Sequence, residues 1–163
     1  MKQCLDSTTL AWELREGPGN YSVERKHLTP HADTCNLGCS RYRLNPGKKA
    51  FPAHHHYGND EAIYVLSGDL TVIQNGQPQT VNTGGYLTFA RGNGIAHSIE
   101  NRSDKSVEFL CFSTMNDTDV ITYPHSGKIG VFGGTAPGGS EKVHSIKEWV
   151  PRSPVDYWDG EGQ

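Results

Sequence analysis

The sequence predicts an all-β chain folded as an antiparallel sandwich or barrel, and three observations carry that reading. Short β-type runs recur at regular spacing between residues 37 and 115. Turn chemistry separates them, at Asn45-Pro46-Gly47, Ser67-Gly68-Asp69, Asn75-Gly76, Gly84-Gly85, Gly92-Asn93-Gly94 and Asn101-Arg102-Ser103-Asp104. No amphipathic helical pattern intervenes, as it would in a parallel α/β chain. The 19 glycines and 9 prolines among 163 residues also fit many short strands better than long helices.

Three zones follow in chain order. Residues 1–36 read as an N-terminal arm. Within it, residues 8–16 suggest one or two helical turns stopped by Gly17-Pro18, and residues 21–26 an exposed strand. Residues 37–115 read as the barrel, with strands at 38–44, 50–56, 62–66, 70–74, 79–82, 86–89, 96–101 and 107–113. Asn75-Gly76 is its best hairpin signal, because both residues tolerate positive φ. Residues 116–163 read as a C-terminal extension packed on the barrel or on a partner subunit. A strand is expected at 120–123 and a loop at 133–140. Ser145 and Glu148 have the capping-box spacing for a short helix stopped by Pro151. Trp12, Trp149 and Trp158 all lie in the flanking zones, which argues that both flanks are packed.

Composition excludes several classes. A net charge of −3 offers no basic face for nucleic acid. The longest apolar runs, 62–66 and 109–112, fall far short of the roughly 18 residues of a membrane span. No apolar stretch follows Met1 to Asp6, so no signal peptide is expected and the chain reads as cytoplasmic. Cys35 and Cys39 lack the second pair of a zinc site, so Cys4, Cys35, Cys39 and Cys111 are expected as reduced thiols. A barrel with exposed edges invites cover, and residues 21–26 with the Trp149 and Trp158 tail point to a homodimer.

The chemistry concentrates in residues 46–61. His54 and His56 are two apart, so on a strand they project from one face while His55 points to the other. Glu61 opens the next strand after a tight turn through Gly58-Asn59-Asp60. His97, at the start of a later strand, could add a third imidazole. By chance, His-x-His-x4-Glu-x6-Gly would occur about 0.003 times in this chain. Imidazoles plus one carboxylate suit a divalent transition metal.

These residues resemble the motifs of the cupin superfamily. Its first motif, G-x5-H-x-H-x(3–4)-E-x6-G, is matched by Gly47, His54, His56, Glu61 and Gly68, with one extra residue after Gly47. Its second, G-x5-P-x-G-x2-H-x3-N, is matched by Gly85, Gly94, His97 and Asn101, with Gly92 in place of Pro. The tail 119–128 is similar to that of small single-domain cupins without an assigned activity. The resemblance implies a double-stranded β-helix, a jelly-roll barrel open at one end. It also implies one divalent transition metal per subunit (Fe, Mn, Ni or Zn) held by His54, His56, Glu61 and His97, with room for water or a small-molecule ligand.

Two functions fit. One is a metal-dependent enzyme acting on a small polar metabolite by isomerisation, decarboxylation, lyase chemistry or dioxygen insertion. The other is a non-catalytic module that binds or senses a sugar or metabolite. The intact ligand set tips the reading toward the enzyme; its catalytic residues stay open. Arg41 and Arg43 share a strand face and could anchor an acidic substrate, although a solvated face or dimer contact explains them better. Tyr42 and Tyr64 are candidate proton donors or packing residues. Cys111 reads as a buried structural thiol. Phe89, Ile95, Ile99 and Phe109 are pocket walls by alternation. Gly127-x2-Gly130-x2-Gly133 lacks phosphate-loop spacing and reads as loop.

Overall fold

The computed structural model describes residues 4–29, 36–139 and 145–162. Thirteen strands run through it: β1 Glu13–Glu16, β2 Ser22–His27, β3 Gly38–Leu44, β4 His55–His56, β5 Glu61–Ser67, β6 Asp69–Gln74 and β7 Gln77–Asn82. Then come β8 Tyr86–Phe89, β9 His97–Glu100, β10 Val107–Ser113, β11 Thr118–Tyr123, β12 Lys128–Gly133 and β13 Ile146–Pro151. Among the described residues there is no α-helix, and every strand pairing is antiparallel. The expected all-β class and double-stranded β-helix hold.

Three sheets form the walls. One has the order β1-β2-β3-β10-β5-β8, one β13-β12-β11-β4 and one β7-β6-β9. Inward positions follow from alternation. On β3 the buried residues are every second one, ending in Tyr42 and Leu44, and they meet Phe109 and Val107 of β10 in register. Leu44, Ile63, Val65, Leu70, Val72 and Phe109 fill the closed end, all without solvent exposure. Full burial of each is worth roughly 1.5–3 kcal/mol. The Asn75-Gly76 hairpin forms as expected, with φ of 48° and 77° closing β6 onto β7. Asn101 is buried at the same end, where its side-chain amide donates to the Leu44 and Lys105 carbonyls. That motif residue builds turns and stands apart from the histidines.

Four expectations fail in the flanks and motif segment. The arm has no helical turns where 8–16 suggested them. Its later part is β1, whose register with β2 (Glu13 opposite Arg25) supplies the hydrogen bonds a helix would have. The strand at 21–26 is not exposed, because β1 covers its edge and Val23, Arg25 and Lys26 are buried. Residues 50–56 are not one strand: Pro52 breaks the ladder, leaving β4 and a single bridge at His54. Residues 145–148 are no helix, because Ile146–Pro151 pairs along β12 and Pro151 is tolerated at the end of an edge strand.

The glycine run also proves to be strand in part. Gly130 and Gly133 lie within β12, and a Cβ at Gly130 would meet the indole of its cross-strand partner Trp149 at 3.2 Å. Glycine there makes room for the tryptophan. Cys4, Cys39 and Cys111 are free thiols, while Cys35 lies outside the described residues. Among the described residues no helix is long and apolar enough to cross a membrane.

Candidate metal centre

Backbone pairing on both sides aims the histidine segment. His54 exchanges two hydrogen bonds with His97, N to O at 3.0 and 2.9 Å. The next two residues, His55 and His56, pair with Thr122 and Ile121 of β11. His54 and His56 therefore face one interior, and their rings lie 5.2 Å apart. His55 turns away as expected, against Tyr57 and the Thr122 hydroxyl. The turn after it needs Gly58, where a Cβ would come within 2.3 Å of the Thr118 carbonyl oxygen.

The resulting cluster has one focus. Glu61 Oε2 lies 3.4 Å from His56 Nε2, 3.8 Å from His54 Nε2 and 3.2 Å from His97 Nε2. One ligand atom from each of His54, His56 and Glu61 lies within 4.8 Å of the other two. The far sides of two rings are already fixed. His54 Nδ1 donates to the Pro52 carbonyl at 2.7 Å, which leaves its Nε2 lone pair facing inward. His56 Nδ1 contacts Asp119 Oδ2 at 2.6 Å. The His97 ring stacks on Phe89 at 3.8 Å, with its Nδ1 buried and unpartnered.

Asp119 was not legible as a site residue. It is buried at the head of β11 and accepts hydrogen bonds from Gly58 N and the Asn59 side chain as well. Asn59 in turn donates to the Asn116 carbonyl and accepts from Asn116 N. The segment leading into β11 thus grips the turn that carries His56. No local motif announces a partner 63 residues away.

Electrostatics sort the cluster into charged and neutral members. Burial pushes the Glu61 carboxyl up, but the His97 hydrogen bond and the other imidazoles outweigh it and bring the pKa down to about 2. Burial lowers His54 to about 4, against the pull of Glu61. Burial also lowers His56, yet the Asp119 hydrogen bond and Glu61 reverse the sign and raise it. The set is one firm anion beside three imidazoles, two of them held in place by hydrogen bonds from behind. Such donors fit a divalent transition metal, and His54, His56 and Glu61 could hold one.

The cluster heads a cavity of about 570 Å³, ample for a small metabolite. Phe89 and Ile99 line it as expected, whereas Ile95 does not and Phe109 lies in the core below. Phe51, Ile121 and Phe132 add apolar wall, and Tyr123 lies over the His54 ring, its hydroxyl accepting from Trp149 Nε1. Tyr42 lines the cavity from the sheet, but Tyr64 is outside and 39% exposed. Cys111 is a wall residue, only partly buried, whose thiol burial holds well above its ordinary value.

Arg41 and Arg43 do not enter the cavity. They project from the outer face of β3, where Glu108 pairs with both. The arginines in the cavity wall are Arg15 and Arg25. Strand phase was the available signal for Arg25, since it alternates with Val23.

Comparison with known proteins agrees with this architecture. Residues 40–113 match the family model of the cupin domain. The chain is similar in structure to a candidate sugar phosphate isomerase from Acidithiobacillus ferrooxidans (22% identity, TM-score 0.77, 91% of this chain and 90% of that one). It is likewise similar to a sugar phosphate isomerase of the cupin superfamily from Silicibacter pomeroyi (20%, TM-score 0.77, 95% and 98%). A third is a predicted oxalate decarboxylase from Thermotoga maritima (24%, TM-score 0.58, 69% and 98%). At these identities the likeness speaks for the fold. No curated protein matches the sequence.

Proposed function

We propose that this member of the cupin superfamily is a metal-dependent enzyme acting on a small polar metabolite inside the barrel. The carrying observation is the convergence of three imidazole Nε2 atoms on one Glu61 oxygen at the head of the cavity. His54, His56, Glu61 and His97 would hold one Fe, Mn, Ni or Zn ion, which when bound supplies Lewis acidity toward a substrate oxygen. Glu61 is a ligand and not a free base, because its carboxyl stays ionised among the imidazoles. Asp119 and Pro52 hold two rings in the tautomer that leaves Nε2 free. Phe51, Phe89 and Phe132 keep water from the substrate.

One observation favours the second reading, a non-catalytic metabolite-binding module. Burial holds the Tyr42 hydroxyl at about 12, Tyr123 above its ordinary value and Cys111 well above its own, so none is poised to accept a proton near neutrality. The test is metal analysis of protein purified without chelator, for wild type and each single alanine variant of the four ligands. Turnover of a metabolite panel under air, with each metal restored, then separates enzyme from binder. Full metal content in all four variants would place the centre elsewhere.

The edge strands β1 and β13 and the exposed Tyr157 and Trp158 support a homodimer as the working assembly. Light scattering that gives only 17.9 kDa at micromolar concentration would refute it.

A further inference from the structure

We propose that the cavity takes a small molecule bearing an anionic oxygen group, a carboxylate or a phosphate, and that Arg25 receives that group. This deepens the metal-dependent reading above, on which it rests, by naming the chemistry of the ligand.

The starting point is the phase of β2. Val23, Arg25 and His27 share one face, and Arg25 stands in register with Tyr42, which also lines the cavity. The Arg25 side chain is 9% exposed, so its guanidinium is embedded in the wall. A guanidinium carries five N–H donors. Among the described residues Arg25 has one acceptor, Glu13 Oε2 at 3.3 Å from Nη2, and its buried Nε has none. Glu13 is a weak claimant, because it sits on the edge strand β1 with its side chain 59% exposed. Burying a cation so poorly matched is costly unless a ligand completes it.

The rest of the wall carries the same sign. Arg15 and Lys147 line the cavity with Arg25, and among the described lining residues Glu61 is the one carboxylate. That carboxylate is already committed to three imidazoles. A cavity walled in this way concentrates anions. Arg25, Tyr42, Ser40 and Glu61 also share a recess of about 80 Å³. A water molecule occupies roughly 30 Å³ of liquid, so the recess suits one compact headgroup. A ligand with its anionic end there would present its remaining oxygens toward the histidines.

The experiment titrates inorganic phosphate and, separately, succinate into the full chain by calorimetry. It is run with and without metal, at fixed chloride. Saturable one-site binding of at least one probe is expected, and it persists in metal-free protein. Arg25→Gln should weaken that binding roughly tenfold or more while leaving metal content unchanged. Glu13→Gln, which releases the guanidinium from its competitor, should tighten it about two- to fivefold. This variant alters an exposed edge residue, so it reads the proposal even if Arg25→Gln fails to fold. The probe that saturates names the headgroup. The proposal falls if neither probe saturates, if Arg25→Gln binds as wild type does, or if Glu13→Gln leaves affinity unchanged or weaker. Metal content is scored separately. Phosphate or succinate binding through Arg25 in a protein that takes no metal would sink the metal reading and keep this one.

Discussion

The two faces of the six-stranded sheet carry similar charged side chains and use them differently. Outside, Arg41 and Arg43 converge on Glu108, Glu24 lies 3.8 Å from Arg43, and the Trp12 ring lies under Arg43 and Lys26. Each of these cations has a partner: Arg41 and Arg43 keep a route to solvent, and the buried Lys26 donates to the Ser7 and Thr8 carbonyls. Inside, one strand away, Arg25 has a single long contact and an orphaned Nε. The difference is one residue of strand phase, since alternation decides which arginine is solvated and which is committed to a ligand. A charge count over Ser22–His27 and Gly38–Leu44 cannot distinguish them. The position of Val23 and Tyr42 can.

Packing provides the harshest way to break the comparison. Phe109 is fully buried on the inner face and its ring stacks on Tyr42 at a centroid distance of 5.4 Å. Phe109→Ala should cost roughly 3–5 kcal/mol, through lost transfer energy and the cavity left behind. Arg43→Ala, on the outer face of the neighbouring strand, should cost about 1 kcal/mol or less. Urea denaturation of both variants measures the contrast. Similar costs would mean that the inner face is not where the barrel is held together.

The next test sharpens the inner face at the metal end. Asp119→Asn preserves the shape of the side chain but replaces one carboxylate oxygen with a donor. His56 would lose the acceptor that orients its ring. Metal affinity, measured by competition with a chelator, should fall about 10- to 100-fold while the barrel stays folded. Unchanged affinity would leave Asp119 a purely structural clamp on Gly58 and Asn59.

These residues also mark where the sequence stops being readable. The convergence of His54, His56, Glu61 and His97 was legible because period-two alternation, a short turn and the start of a later strand aim them into one interior, although β4, β5 and β9 belong to three sheets. The turn chemistry likewise located β3, β8 and β10 to the residue. The phase that Arg25 shares with Val23 is a signal the sequence does carry, whereas Asp119 was not legible, because it acquires its role from a distant pairing, β11 on β4. The failed helices at 8–16 and 145–148 share that cause. Both segments lie at sheet edges, where a free ladder of backbone groups outweighs local capping signals.

A smaller effect comes from protons competing at the same centre. His54 is already lowered to about 4 and is neutral across the working range. Against the pull of burial, His56 is raised above its ordinary 6.5 by the Asp119 hydrogen bond and Glu61, so in the metal-free protein it takes up a proton before His54 does. On its own, a raised folded value gives stability present below 6.5 that is lost as pH rises through the folded value. Metal reverses the preference, because coordination requires the neutral ring. From pH 7 down to 5, affinity should therefore drop, with His56 contributing to the proton slope and His54 adding nothing to it. A slope of three would mean that burial does not keep His54 neutral.

The mildest effect belongs to the outer face and tests whether its charges are as solvated as their positions imply. Burial raises the Glu108 carboxyl, and hydrogen bonds from Arg41 and Arg43 outweigh it, so the folded value lies below the ordinary 4.5. A depressed carboxylate contributes stability that is present above 4.5 and lost as pH falls through the folded value. Glu108→Gln removes that contribution. The variant should be less stable than wild type by about 1 kcal/mol or less at pH 7, because the cluster remains within reach of water. The gap should close as pH drops below 4.5 and shrink in high salt, where exposed pairs are screened. Denaturation curves at pH 7 and pH 3 check both. A gap of several kcal/mol at pH 7 that high salt leaves untouched would show Arg41, Arg43 and Glu108 behaving as a buried network. The two faces would then differ in partners alone, and solvation would no longer separate Arg43 from Arg25.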